Sequence, residues 1–399
     1  MSTSDARPRV APVLRGEEAR VKPLELFFDL VFVLALTQCT ALMAENPTWE
    51  GLARGVLILG VLWWSWVGYA WLTSVIDPEE GLVRIVFFVS MGALLVAALS
   101  VHDAFGDLGL LFAAMLLIVR ASHILLFISC SRDDPDLRRS VTGLAIGTTI
   151  GVGLLVAASF LDGPAQGALW ALALLLDMGE PYIFGSDGWK LIPGHFAERH
   201  GLIVIIALGE SIVAIGVGAE NHVDAGIVAA AALGIAVAAT LWWAYFDVVA
   251  LVAERRLHHA AAGRERNEIA RDSFSYLHFP MVAGIVLLAL GLKKTLGHVD
   301  DPLKIVPAFA LLGGLALYLL AHVAFRWRNV HRFSRHRLLV AVVLLALLPA
   351  AVELPALATL AIVTALMIGL IAYETIRFRD LRDKMRHELA FDPPSPAGH

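Results

Sequence analysis

The chain has 399 residues, of which 58% are hydrophobic and only 17% are charged, and its mean hydropathy is +0.73. Soluble globular proteins contain about 45–50% apolar and about 25% charged residues, so this composition excludes a water-soluble globular protein, which needs a polar shell. The formal net charge of −5 indicates less than the positions of the charges do, and we expect no nucleic acid among the partners.

Apolar runs follow one another along almost the whole chain after a polar segment, 1–22. The first run is too long for the core of a signal peptide, so we interpret it as a retained membrane span. Runs of about 17–25 residues are long enough to cross a bilayer as helices. Twelve such runs lie near 24–44, 51–76, 83–101, 108–130, 140–161, 165–184, 200–220, 224–252, 276–296, 305–326, 337–352 and 355–376. The sequence therefore predicts an all-α integral membrane protein of about 12 transmembrane helices.

The lysines and arginines indicate the orientation, because loops on the cytoplasmic side retain positive charge. With a cytoplasmic N-terminus, only Arg54, Lys293, Lys294 and Lys304 fall in external loops. Arg120 lies within a span, and all the others of the 31 lysines and arginines lie on the cytoplasmic side. We therefore expect both termini in the cytoplasm.

The two halves of the chain share five patterns in the same order, which predicts an internal duplication. The pairs are LVFVLALTQ at 30–38 with LIVIIALGE at 202–210, LWWSW at 62–66 with LWWAY at 241–245, GALLVAALS at 92–100 with GIVLLALGL at 284–292, His123 with His322, and Glu180 with Glu374. An even number of spans in each half gives both halves the same orientation. We therefore predict two parallel six-helix repeats, 23–186 and 187–378, between cytoplasmic tails at 1–22 and 379–399.

Ionisable residues within spans are candidates for function, because a charge at mid-bilayer costs at least about 2.5–3.5 kcal/mol. In the first span Glu25 and Asp29 lie four residues apart and share a helix face. Glu25 follows Pro23 and could simply stabilise the start of the helix. For Asp29 we favour a functional or paired position facing the helix bundle, and Gln38 continues this polar set toward the outer half.

The seventh span carries the strongest single candidate, Glu210. It falls near mid-membrane and takes the place that Gln38 has in the first repeat, so we expect it to face the bundle interior. Arg199 shares a face with Glu210 but lies about 16 Å away along the axis, too far to pair directly. Glu198 and Arg199 could instead form a solvated helix entrance.

The other candidates are spread over the fourth, sixth, eighth and tenth spans: Arg120, His123, Asp177, Asp247 and His322. Arg120 could neutralise one of the carboxylates, which would be a structural role. Asp247 and His322 lie near cytoplasmic helix ends and could reach the membrane surface.

Several kinds of site are not predicted. Cys39 and Cys130 lie inside apolar runs without a CxxC or Cys/His spacing, so we expect two buried thiols and no metal site. The sequence contains no Walker A motif, G-x-S-x-G elbow, H-E-x-x-H motif or dinucleotide fingerprint. We therefore assign no catalytic residue and expect no cofactor.

Specific motifs are similar to those of one bacterial family. They are PLELFFDLVFVLALTQ at 23–38, WWSW at 63–66, HFAERHGLIVIIALGES at 195–211, WWAYFD at 242–247 and YLHFPMVAGI at 276–285. With these motifs the chain resembles the bacterial low-temperature-requirement A (LtrA) family. The resemblance implies a multi-pass protein of the bacterial inner membrane that is linked to growth in the cold, but it implies no particular biochemical activity.

The pattern predicts transport: a channel or proton-coupled carrier for an ion or small solute, with a path along the Asp29 and Glu210 helices. One alternative is a membrane-embedded enzyme acting on a lipid or hydrophobic substrate, with Asp29, His123, Glu210 and His322 as its polar set. Another alternative is a membrane sensor or scaffold. The cytoplasmic arginine loops suit contacts with anionic lipids, and a homo-oligomer is an open alternative to a single copy.

Overall fold

The computed structural model describes residues 20–219, 223–380 and 382–384, and this part of the chain is helical, with a single isolated β-bridge between Pro302 and Pro355. The prediction of an all-α protein is therefore confirmed. The α-helices are α1 (Pro23–Glu45), α2 (Trp49–Thr73), α3 (Gly81–Leu99), α4 (Gly109–Cys130), α5 (Pro135–Ala158), α6 (Gly163–Ile183), α7 (Pro193–Gly218), α8 (Ala225–Phe246), α9 (Val249–His259), α10 (Arg264–Ile269), α11 (His278–Gly297), α12 (Ile305–Val330), α13 (Arg335–Ala346), α14 (Leu348–Ala351) and α15 (Ala356–Arg377). A 3₁₀ turn, Val101–Asp103, precedes α4, and a π-helical segment, Ala270–Tyr276, joins α10 to α11.

Ten helical segments of the described chain are long and apolar enough to cross a membrane. They are α1 to α5, α7, the continuous stretches Ala225–His259 and Arg264–Gly297, α12 and α15. So many apolar helices indicate a multi-pass membrane protein. Predicted spans six and eleven fall short of the same standard. The first coincides with α6, whose apolar run contains Asp177, Glu180 and Pro181; the second is divided at Leu347 into α13 and the short α14, which contains Pro349.

Helix starts coincide with the capping residues in the sequence. Thr48 accepts a hydrogen bond from the Gly51 amide at 3.1 Å, and Asp224 accepts one from the Ile227 amide at 2.8 Å. Asp134 caps α5 in the same way and is followed by Pro135 at the first helical position. These side chains satisfy amides that have no partner within the helix, so the turn residues fix where α2, α5 and α8 begin.

The described residues form two compact units, which fall within Met1–Ile206 with Ala260–Phe279 and within Ala207–His259 with Pro280–His399. In the first unit α1 packs on α2 and α3, and α3 to α6 pack in sequence order. In the second unit α8 packs on α15, and α12 packs on α13. These units are defined by contacts between residues and not by sequence similarity. They therefore do not test the predicted repeats 23–186 and 187–378, which stay a prediction.

Candidate functional site

The first compact unit contains a buried group of four ionisable side chains and one tryptophan, which we call the acid–base cluster: Glu25 and Asp29 of α1, Trp66 of α2, and His195 and Arg199 of α7. None of the five is more than 1% exposed. His195 Nε2 lies 2.7 Å from a Glu25 oxygen, and an Arg199 nitrogen donates to Asp29 Oδ1 at 2.9 Å. Trp66 Nε1 donates to the same Asp29 oxygen at 2.8 Å.

Matching helical spacings bring these groups together. Glu25 and Asp29 are four residues apart on α1, and His195 and Arg199 are four residues apart on α7, so each pair shares one face of its helix. Each acid of α1 therefore meets one base of α7. Arg199 also lies 3.7 Å from Glu25, which places its guanidinium near both carboxylates.

Glu25 contacts both the start of its own helix and His195. Its Oε1 accepts a hydrogen bond from the Lys22 amide at 3.2 Å and so caps the start of α1. Its Oε2 faces His195, whose other ring nitrogen lies 3.1 Å from Ser74 Oγ at the end of α2. A hydroxyl, an imidazole and a carboxylate are thus connected by hydrogen bonds inside the protein, and imidazole can accept a proton on one side and donate on the other.

The acid–base cluster also retains unused hydrogen-bonding capacity. Within the described residues, Asp29 Oδ2, Arg199 Nε and Nη1, and Nε2 of the neighbouring His200 are buried without a hydrogen-bond partner. Buried polar atoms of native proteins are nearly always hydrogen-bonded to protein or water. These four atoms therefore indicate a place for a proton, a water molecule or a polar ligand beside Asp29.

Aromatic rings enclose this place. The Arg199 guanidinium lies over the Trp66 ring, 5.6 Å from its centroid, and the His200 ring meets Trp66 edge-on at 5.1 Å. Trp63 packs on Trp66 at 5.0 Å and donates to the Ser275 carbonyl at 2.9 Å. Because the ring nitrogens of both tryptophans are occupied, these side chains pack and orient the acid–base cluster rather than offering free donors.

A second ionic group of the same unit contains Arg120 of α4. Its guanidinium donates to Asp177 of α6 at 2.5 Å, to Thr148 of α5 at 2.6 Å and to the Trp64 carbonyl of α2 at 3.3 Å. If Arg120 has the structural role of neutralising a carboxylate, that carboxylate is Asp177. Four helices are tied together at this point.

A cavity of about 50 Å³ adjoins Arg120 and is lined by His123, Glu180 and Trp71 among others. A cavity of that size can hold an ordered water molecule when polar groups line it. Within the described chain, Glu180 Oε1 is buried without a hydrogen-bond partner. His123 packs between the rings of Tyr69 and Phe127, at 5.5 and 5.0 Å.

The contact between α2 and His123 requires a glycine. A Cβ atom at Gly68 would lie 2.7 Å from His123 Cε1. Gly68→Ala should therefore displace the imidazole and lower the free energy of unfolding by about 1–3 kcal/mol, the usual cost of overpacking. Gly92→Ala is the matched control, because a Cβ at Gly92 meets nothing within 4 Å. Equal melting temperatures of the two variants in detergent would contradict this contact.

The second compact unit contains an ionic group around Arg337 of α13. Arg337 donates to both oxygens of Glu374, at 3.0 and 2.8 Å, to His322 Nδ1 at 2.9 Å and to the Ala244 carbonyl at 3.2 Å. Asp247, at the end of α8, pairs with Arg382. Arg337 is not among the residues predicted from the sequence, where it falls with the loop arginines. The ionisable Glu374 within the last apolar run was the signal that a cation had to lie nearby.

Three other candidates lie outside these groups. Glu198 is exposed and accepts a hydrogen bond from the Val21 amide at 3.2 Å, and its interpretation as part of a solvated helix entrance stays a prediction. Gln38 is half-buried and lies in neither ionic group of the first unit. Glu210 is 1% exposed, which agrees with the expected interior position, while its role stays a prediction.

The fold and these buried groups define the class of protein: a multi-pass α-helical membrane protein with ionisable clusters inside its helix bundle. The chain belongs to the bacterial low temperature requirement A protein (LtrA) family, whose model matches residues 20–372. A protein of Rhizobium meliloti (strain 1021) that is described as uncharacterized is 29% identical over 306 residues, which cover 74% of each chain. No solved structure gave a significant match.

Proposed function

We propose that this protein is a proton-coupled carrier for an ion or small solute and that Asp29 is its proton-accepting group. The observation that carries the proposal is the environment of this carboxylate. One oxygen is held by Trp66 and Arg199, while the other is buried and accepts no hydrogen bond from the described residues. A carboxylate with one fixed and one open oxygen can take up a proton without a rearrangement of its partners.

A route for the proton begins at the ends of α1 and α7. Ser74, His195 and Glu25 are connected by contacts of 3.1 and 2.7 Å. Asp29 lies one helical turn beyond Glu25, about 6 Å along the axis. In the orientation proposed from the loop charges, with the N-terminus in the cytoplasm, Glu25 lies at the cytoplasmic edge and Asp29 lies deeper. These groups therefore lead from one membrane surface into the bundle.

Coupling to a solute follows from the chemistry of Arg199. When Asp29 is ionised, it holds the guanidinium; when Asp29 is protonated, the ion pair weakens and the guanidinium can bind another anionic or polar group. Arg199 Nε and His200 Nε2 are buried without a hydrogen-bond partner among the described residues and would contact such a solute, while Arg199 Nη1 faces Glu25 at 3.7 Å. Proton binding and solute binding then favour each other, which is the thermodynamic condition for symport.

We also propose the arrangement of twelve spans in two parallel six-helix repeats in the inner membrane. It is supported by similar contacts of one buried arginine in each half of the chain. Arg120 and Arg337 each pair with a carboxylate of the last helix in their half and donate to a carbonyl of the tryptophan-rich helix, Trp64 and Ala244. The matched histidines, His123 and His322, each lie against a tyrosine of that helix.

The enzyme alternative requires Asp29 and His123 to act together. Within the first unit these residues belong to different groups: Asp29 is bonded to Trp66 and Arg199, and His123 lies among aromatic rings. A sensor or scaffold would not need a buried carboxylate with an open oxygen. The geometry of the described residues therefore favours transport.

To test this, the full-length protein is reconstituted into liposomes that contain a pH-sensitive dye. Ions, small anions and neutral solutes are then added outside one at a time, and the internal pH is followed. We expect at least one solute to move protons when it is added outside, at a rate above that of protein-free liposomes. Proton movement should reverse when the solute gradient is reversed. If no member of the panel moves protons in either direction, the carrier proposal is wrong.

A further inference from the structure

The second compact unit contains a cavity of about 330 Å³ at the last turns of α8, α12 and α15 and the first turn of α13. Its size lies in the range of about 300–1,000 Å³ that is usual for ligand sites. Four arginines line it, with two carboxylates and one amide: Arg326, Arg332, Arg337, Arg382, Asp247, Glu374 and Asn329. We call it the arginine cavity.

The two carboxylates of the arginine cavity are already engaged. Glu374 is held by Arg337, and Asp247 is held by Arg382. Within residues 20–219, 223–380 and 382–384, neither Arg326 nor Arg332 forms an ion pair or a hydrogen bond through its side chain. Arg326 is half-buried, so water solvates its charge only in part. The lining of the cavity therefore carries four positive charges and only two negative ones.

The positive surface continues beyond the cavity. His331 ends α12 in the left-handed conformation, with φ of 53°, and turns the chain back toward α13. This turn forms an adjoining cavity of about 410 Å³ that shares Arg326 and Arg332 and adds Arg335, with no carboxylate among its lining residues. An anion in this region would meet several guanidinium groups at once.

We propose that the arginine cavity binds a phosphate-bearing anion, whose phosphate is held by Arg326 and Arg332. The planar guanidinium donates two parallel hydrogen bonds that match the oxygens of a phosphate. In the orientation proposed from the loop charges, the cavity opens on the cytoplasmic side, where phospholipid head groups and soluble phosphates are both within reach. The site lies entirely in the second unit and does not rest on the acid–base cluster.

The test uses the full-length protein in a neutral detergent and two probes, inorganic phosphate and short-chain phosphatidylglycerol, with phosphatidylcholine as the zwitterionic reference. Binding is measured by titration calorimetry. The parent should bind phosphatidylglycerol, inorganic phosphate or both, and bind each more tightly than phosphatidylcholine. The double variant Arg326→Gln/Arg332→Gln should weaken that binding by about tenfold or more, the expected effect of losing charge-assisted hydrogen bonds.

The matched control is Arg379→Gln, an exposed arginine that follows α15 and does not line the cavity. Displacement of phosphatidylglycerol by inorganic phosphate would support a soluble phosphate as the ligand, and binding of phosphatidylglycerol alone would support a lipid head group. The proposal is overturned if the parent binds neither probe more tightly than phosphatidylcholine. It is also overturned if the folded double variant binds both probes as the parent does.

Discussion

Arg199→Met should lower the free energy of unfolding by about 3–5 kcal/mol, the usual cost of removing one partner from a buried ion pair. The variant loses the 2.9 Å contact with Asp29 and the 3.7 Å contact with Glu25. Both carboxylates would then be buried near each other without their guanidinium. The measurement is equilibrium unfolding of the full-length protein in mixed detergent micelles.

The neighbouring residue gives a matched control for this prediction. Glu198→Gln removes an exposed charge from the same helix and should change the unfolding free energy by no more than about 0.5 kcal/mol. The double variant Arg199→Met/Asp29→Asn should recover part of the loss, because a neutral amide is less costly to bury than a carboxylate. A loss for Arg199→Met as small as that for Glu198→Gln would show that the pair does not hold α1 and α7 together.

Arg337→Met should cost a similar amount, about 3–5 kcal/mol, for the same physical reason. Arg337 is the donor to both oxygens of Glu374, to His322 and to the Ala244 carbonyl, so its removal leaves several buried acceptors without a partner. Unfolding in mixed micelles again measures the effect, and Arg379→Gln is the exposed control.

A double-mutant cycle separates the pair from its surroundings. Arg337→Met and Glu374→Gln should each destabilise the protein, and their combined effect should be smaller than the sum by about 0.5–3 kcal/mol, as expected for residues in direct contact. If the two effects simply add, Arg337 and Glu374 do not interact in the folded protein.

Most of the helices could be predicted from the lengths of the apolar runs, because a segment that crosses a bilayer must satisfy its backbone internally. Predicted spans six and eleven do not reach the length and hydropathy of the other ten, and the reasons are local. The sixth run includes Asp177, Glu180 and Pro181, which lower its hydropathy, and the eleventh run is cut into two short helices ahead of Pro349. The length of an apolar run alone does not reveal such interruptions.

The sequence predicts which acids of the candidate site share a helix face, but it does not predict their partners. The four-residue spacing of Glu25 and Asp29 predicts a shared helix face, and burial of both is what the structure shows. The basic partners of these acids, His195 and Arg199, lie 170 residues away, and local periodicity carries no information about which helix packs against which. The sequence places Arg199 on the same helix face as Glu210, whereas the guanidinium contacts Asp29 and Glu25 of another helix.

The most direct measurement of the central claim is proton-coupled flux through Asp29→Asn in proteoliposomes, beside the parent and the exposed control Glu198→Gln. Asparagine preserves the shape of the side chain and can still accept hydrogen bonds from Trp66 and Arg199, but it cannot take up a proton. With a solute that moves protons in the parent, we expect Glu198→Gln to retain coupled flux and correctly folded Asp29→Asn to lose it at every pH. Solute-driven proton movement by Asp29→Asn at the parental rate would show that Asp29 is not the proton-accepting group.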